Sequence, residues 1–445
     1  MMTAIICTFI AGYLLIAMES LIKVNKAAVA LMMAVICWAL FYLGFGASPE
    51  HASAFTKALG ETSEILFFLM GAMVIVETVD TNGGFSFVRE KLVSASKVSL
   101  LWKLTLMTFF LSAVLDNMTT AIVMVMILDK LVSERKDKML YASMVILAAN
   151  SGGAFSPIGD VTTIMLWVKG NISTFGVIKA LFLPSLVSVL VPACIMSFLL
   201  KGKLNSQAIP QEDINSATSI SPRERIAVFI VGVGGLLFVP VFRFLTGLPP
   251  FMGILLILAL LWILTELIFK QKKYQDIPHE HLPDVSALLH KIDLSTILFF
   301  LGILTTVAAL SETGTLKMLG TYLDKVFDGN PYFITSLIGI FSAVVDNVPL
   351  VASCMGMYDV AAFPDAVAGL QQIQVYGVDG TFWELLAYCA GIGGSLLIIG
   401  SAAGVVVMGL QKISFGWYLK NFTWMALLGY AAGILVYWLQ EAILL

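Results

Sequence analysis

Two short segments of this chain put acidic and amide side chains where apolar residues are expected. Asp116-Asn117 lies in the middle of the apolar run 104–128 and is followed by Met118-Thr119-Thr120. Asp346-Asn347 lies in the middle of the apolar run 332–357 and is followed by Val348-Pro349. A carboxylate among so much hydrocarbon costs on the order of a few kcal/mol unless it faces a cavity or a partner. A third segment, Asn150-Ser151-Gly152-Gly153-Ala154-Phe155-Ser156-Pro157-Ile158-Gly159-Asp160-Val161-Thr162-Thr163, interrupts the run 140–168 with three Gly and one Pro. Carbonyls freed by such a break cannot be left facing lipid. Beside a cavity they join Asn, Ser and Thr oxygens in a hard-oxygen shell suited to a small cation, and Asp160 adds charge. A fourth segment, Gly391 to Ser401, breaks the run 382–411 in the same way but keeps few polar groups, among them Ser395 and Ser401. The stronger cation site is therefore expected in the first half.

The chemistry these groups suit is competition. A carboxylate withdrawn from water loses part of its preference for the charged form. It can then hold either a proton or Na+ (or Li+), but not both. One shared site with alternating access gives obligatory exchange. Asp116 and Asp346 are expected to alternate between protonated and sodium-bound forms, with Asp160 in support. The same residues also suit helix capping, since Asp and Asn accept from orphan N–H groups, and Asp160 suits the N-cap of a second half-helix. Asp80 and Glu312, at span ends where carboxylates are ordinarily solvated, are weaker candidates. His279-Glu280-His281 lies in a polar loop, where it reads as solvated or as a pH sensor.

These residues need a scaffold that holds them inside a membrane, and the composition demands one. The chain has 445 residues, 59% hydrophobic and 12% charged, about half the roughly 25% charge of a soluble domain. Such a chain cannot clothe itself in charge, which excludes a secreted domain, a disordered protein and a nucleic-acid binder. Five cysteines without CxxC spacing read as buried free thiols. The start of the chain has no basic n-region, so the first apolar run is expected to be retained.

Twelve apolar runs are visible, and orientation decides how they cross. With 104–128 and 332–357 as re-entrant hairpins and the N-terminus outside, 20 Lys/Arg fall on the cytoplasmic side and six outside. With both as full spans the split is 13 to 13. The positive-inside rule favours the first arrangement: about ten transmembrane helices plus two hairpins, in an all-α polytopic membrane protein with both termini outside the cytoplasm. Segments 84–99 and 315–328 read as interfacial helices.

An internal repeat agrees. Ile65-Leu66-Phe67-Phe68-Leu69 recurs at 297–301, Ser112-Ala113-Val114-Leu115-Asp116-Asn117 recurs as Ser342-Ala343-Val344-Val345-Asp346-Asn347, and Gly152-Gly153 with Gly159 recurs as Gly393-Gly394 with Gly400. An odd number of spans separates matching elements, so the halves are expected to be inverted, a pattern typical of secondary transporters. The expected organisation is N-terminal scaffold spans in 1–46 and a first repeat in 47–200, with hairpin 101–132 and broken helix 139–168. Linker and scaffold spans follow in 201–292. A second repeat occupies 293–445, with hairpin 332–358 and broken helix 382–411.

The run 150–163 together with the two Asp-Asn tips resembles the NhaD-type sodium/proton antiporters, members of a superfamily that includes dicarboxylate/sodium symporters and arsenite permeases. The resemblance covers essentially the whole chain. It implies two hairpins, two broken helices, a homodimer in the bacterial inner membrane and an elevator movement of a transport domain. It also implies a first sodium site from Asp116, Asn117, Thr119, Asn150 and Ser151, and a second from Asp346, Asn347 and Ser395. By their residue types alone, Ser156, Thr162 and Thr163 are further candidate oxygens of the first break. The symporters carry Ser where this chain carries Asp at both tips.

A sodium-coupled symporter or permease for an organic anion or oxyanion is the rival function. Two tip carboxylates would repel a dicarboxylate in a cavity of low dielectric constant, and neither break carries Lys or Arg. An enzyme fits less well. No His-Glu-x-x-His, Gly-x-Ser-x-Gly or P-loop is present, and all four histidines lie in polar segments. No cofactor is expected beyond the transported Na+, Li+ and H+, and the partners are these ions and the lipid bilayer.

Overall fold

The computed structural model describes residues 1–18, 22–46, 48–85, 91–92, 94, 96–200, 202, 204, 221–273, 293–360 and 374–444. The chain is helical throughout its described elements, as expected. In order, these are α1 (Met2–Ala17), α2 (Lys26–Phe45), α3 (Pro49–Thr81), α4 (Lys97–Ser112), α5 (Asn117–Leu131), α6 (Arg135–Ala154), α7 (Val161–Lys169), α8 (Thr174–Leu199) and α9 (Pro222–Thr246). Then come α10 (Pro250–Lys273), α11 (Leu294–Glu312), α12 (Thr315–Phe327), α13 (Pro331–Ser342), α14 (Asn347–Met357), α15 (Thr381–Gly393), α16 (Ala402–Gln411), α17 (Phe415–Asn421) and α18 (Thr423–Leu444).

Local chemistry sets many of the starts. Ser48, Ser173, Ser221, Asp293, Asn330 and Ser414 each cap a helix by accepting from a backbone N–H one turn in. Pro49, Pro222 and Pro331 occupy first turns, where a missing N–H costs nothing. Among the described residues seven helices, α2, α3, α8, α9, α10, α11 and α18, are long and apolar enough to cross a membrane. Helix α3, which carries the apolar stretch 63–79, has 33 residues, about 50 Å at 1.5 Å per residue. The cap at Ser48 and Pro49 starts it well before the apolar stretch.

The helices pack in two groups, joined where α14 lies on both α11 and α15. In one, α2 lies along α1 and α11, while α3 packs on α9, α10 and α11. In the other, α6 receives α4, α5, α8, α15 and α16, α8 lies along α18, and α13 lies on α15. Helix α12 bridges α11 and α14. The polar segments expected as linkers, 201–224 and 270–292, lie largely outside the described residues, as does much of the expected interfacial helix 84–99. The 315–328 segment is helical as α12.

One reading is corrected. Only Cys37, Cys354 and Cys389 are buried, whereas Cys7 and Cys194 are exposed on α1 and α8. A thiol is apolar enough for a helix face turned toward lipid as well as for a core.

Candidate functional site

The run 104–128 folds as two short helices. Helix α4 ends at Ser112 and α5 begins at Asn117, with a turn between them. At 16 and 15 residues each is only about 22–24 Å long, short of the ~30 Å of hydrocarbon in a bilayer. Helices α13 and α14 divide the run 332–357 in the same way, at Ala343 to Asp346. The run 140–168 is α6 and α7, separated by residues 155–160. The run 382–411 is α15 and α16, separated by 394–401.

The same contacts tie each hairpin to its broken helix. The Ser112 hydroxyl donates to the Ala149 carbonyl at 2.6 Å, and the Ser342 hydroxyl donates to the Ala390 carbonyl at 2.8 Å. Gly152 lies against the Phe109 carbonyl and Gly393 against the Gly339 carbonyl, so closely that a Cβ on either glycine would collide with backbone. The Ser156 hydroxyl donates to the Ala113 carbonyl, which fastens the first break to the first tip.

The three expected caps are present, and Ser401 adds a fourth. The Asp116 carboxylate accepts from the Thr119 N–H at 2.8 Å and its hydroxyl at 2.5 Å. Asp160 accepts from the Thr162 N–H at 3.1 Å, Asp346 from the Val348 N–H at 3.2 Å, and Ser401 from the Gly404 N–H at 3.1 Å. Capping and ion chemistry are therefore not alternatives at these positions. A carboxylate has two oxygens, and a cap bond leaves lone pairs to spare.

What joins the elements is a buried chain of amides and hydroxyls. Asn117 Nδ2 donates to Asn150 Oδ1 at 3.0 Å and to Asp160 Oδ2 at 3.1 Å. Asn150 Nδ2 donates onward to Ser395 Oγ at 2.7 Å and Ser401 Oγ at 2.9 Å. Asn150 and Ser395 are fully buried, and Asp160 is 1% exposed. The first tip, both ends of the first break and both ends of the second break thus meet in one network. The Thr162 and Thr120 hydroxyls are buried nearby and make no hydrogen bond among the described residues.

Other expected site residues sit apart. The Ser151 hydroxyl pairs with Ser188 of α8 at 2.9 Å, and the Thr163 hydroxyl reaches the Ala154 carbonyl at 3.4 Å. Asn347 is buried at the second tip. Asp80 lies in the last turn of α3. Glu312 lines a cavity of about 380 Å³ with Lys57, Glu61, Lys169 and Asp359. There Lys169 is paired with Glu61.

Two features have no counterpart in the sequence reading. Lys26, at the start of α2, forms an ion pair with Asp346 at 3.2 Å and lies 4.3 Å over the Phe299 ring. Glu384, buried in α15, accepts from the Tyr437 hydroxyl at 2.6 Å. The second was discoverable, because a glutamate inside an apolar run carries the same signal as Asp116. The first was not, since Lys26 reads as an ordinary basic flank.

The chain matches the family described as citrate transporter, CitMHS, over residues 13–371. Sodium/proton antiporter 1 of Arabidopsis thaliana is 45% identical over 426 residues, covering 96% of this chain and 70% of that one. The Na+/H+ antiporter NhaD of Alkalimonas amylolytica is 29% identical over 465 residues, covering 98% and 90%. The crystal structure of the YdaH transporter of Alcanivorax borkumensis superposes with a TM-score of 0.60 at 9% identity, covering 94% of this chain and 99% of that one.

Proposed function

We propose, from the premise that this chain belongs to the CitMHS family and within it to the NhaD-type sodium/proton antiporters, that it exchanges cytoplasmic Na+ or Li+ for external protons by alternating access. The observation that carries this reading is the buried Asp160–Asn117–Asn150 network, with a carboxylate at each hairpin tip. Among the described residues no three His, Cys, Asp or Glu side chains converge as a metal cluster. A cation at the network would meet one carboxylate and several neutral oxygens, a donor set suited to a hard monovalent ion. The Asp160 carboxylate, Asn150 Oδ1 and the Thr162 hydroxyl are the groups we assign to it. Protonation of the carboxylate removes the charge that holds the ion, so proton entry expels Na+.

The two helix groups supply the movement. The group built on α6, α8 and α15 carries both tips and both breaks and acts as the moving part, sliding against α2, α3 and α11 as an elevator. The hairpins enter from opposite membrane faces, the repeats are inverted, and two copies pair through the stationary group. The protein works in a membrane that maintains a proton gradient, the bacterial inner membrane on the reading above, with both termini outside.

The test is proton flux in everted vesicles, with Na+, Li+ and K+ added separately across a range of pH. Na+ and Li+ should each release protons. No cation-dependent flux at any pH would sink the proposal. The citrate-transporter description of the family supports a second reading, sodium-driven uptake of an organic anion, and labelled citrate in the same vesicles tests it. The tip carboxylates weigh against that outcome.

A further inference from the structure

The two hairpin tips are alike in sequence but differ in what they hold. Asn117 of the first tip reaches into the amide network, and Asp116 is occupied by Thr119. Asp346 of the second tip holds an ammonium ion that the protein itself provides. Lys26 Nζ is 3.2 Å from Asp346 Oδ2. The two side chains are 25% and 15% exposed, so the pair is largely shielded from water and from screening salt. The lysine is in place from two directions, with the carboxylate on one side and the Phe299 ring, 4.3 Å away, on the other. A cavity of about 110 Å³ lies beside the pair and is lined by Tyr13, Lys26, Asp346 and Ser401. Ser401 is also the acceptor at the far end of the Asn150 network. The cavity therefore opens from the second tip onto the same serine that closes the ion network.

Lys26 and Asp346 also come from helices that are distant in sequence. Lys26 starts α2, which packs on α1 and α11, and Asp346 caps α14, which packs on α11 and α12 as well as on α7, α13 and α15. The ion pair therefore ties the second hairpin tip to the start of α2.

We propose that Lys26 is a tethered counter-cation that occupies the Na+ position at Asp346 in this conformation, and so sets the affinity of the second tip for the transported ion. The inference rests on the exchange reading above. Na+ reaches the second tip only by displacing the ammonium group, and displacement frees the tip from α2. The ion thereby pays for the release of the second hairpin, and a cycle without Na+ leaves the tip held. In the conformation described, the second tip is filled by the ammonium group.

The test uses the purified full-length chain in proteoliposomes, with the half-saturating Na+ concentration, maximal rate and reversal potential of proton flux measured together. Lys26→Gln removes the competing charge and should lower half-saturating Na+ by about three- to tenfold, with an unchanged reversal potential because the second tip also takes up Na+ in the wild-type cycle. Lys26→Arg should raise it, because a guanidinium can hold a carboxylate by two parallel bonds. A clamp that merely supported the fold would change the maximal rate alone. The arginine variant keeps the assignment testable if the glutamine variant does not assemble. Wild-type exchange with unchanged half-saturating Na+ in the variants that assemble overturns the role of Lys26. A wild type without Na+-dependent flux overturns the exchange reading itself, and this inference with it.

Discussion

Asn117 and Asp160 stand 43 positions apart in the chain, yet the Asn117 amide donates to the Asp160 carboxylate at 3.1 Å. The same nitrogen donates to Asn150 at 3.0 Å, so one NH2 group links a hairpin tip to both ends of a broken helix. An amide in this position orients a carboxylate without neutralising it, which leaves the charge available to a cation.

Removing that amide strands two buried acceptors. An unsatisfied buried acceptor costs roughly 1–3 kcal/mol. Asn117→Ala should raise half-saturating Na+ by about tenfold or more, with a smaller effect on expression. Sodium titration of proton flux checks it, and an unchanged titration removes Asn117 from the site.

The carboxylates can be tested without disturbing the fold. Asn caps a helix about as well as Asp, so Asp116→Asn and Asp160→Asn should keep the thermal stability of the wild type. Each should nevertheless abolish Na+-dependent proton flux in vesicles. Retained flux in Asp116→Asn would refute the proton-carrying role assigned to the first tip. Asp116→Ala is the control for the cap, with about 1 kcal/mol of stability lost.

Competition at one site predicts how pH and Na+ trade against each other. While the carboxylate is mostly protonated, each unit fall in pH should raise half-saturating Na+ by up to about tenfold, as linkage requires for one proton displaced per ion. At high pH the dependence should vanish. A half-saturating concentration independent of pH throughout the active range would exclude a shared site.

Close packing at the glycines makes a structural prediction. Gly152 and Gly393 face the Phe109 and Gly339 carbonyls with no room for a Cβ. Gly152→Ala and Gly393→Ala should each force hairpin and broken helix apart and cost about 1–3 kcal/mol by overpacking. Thermal unfolding in detergent measures this directly. Gly409, with open space around it, is the control, and Gly409→Ala should leave the melting temperature almost unchanged.

The sequence by itself determined the class of protein and the places where its helices stop. Twelve per cent charge leaves no soluble alternative. Pro157 stops α6 from continuing, a local reason that needs no tertiary contact. Asp116, Asp160, Asp346 and Ser401 cap the helices that follow them because capping acts over two or three residues. The paired Asp-Asn tips were legible because a charge in hydrocarbon is conspicuous twice over when it recurs. Only the tertiary structure decided which way each polar side chain points. Ser151 adjoins Asn150 in the chain but turns about 100° around α6 and bonds to Ser188, whereas Asn150 reaches Ser395, 245 positions away. The pairing of Lys26 with Asp346 spans 320 positions. Local spacing specifies backbone conformation, but a partner across hundreds of residues is chosen by how whole helices pack, and no short stretch of sequence records that choice.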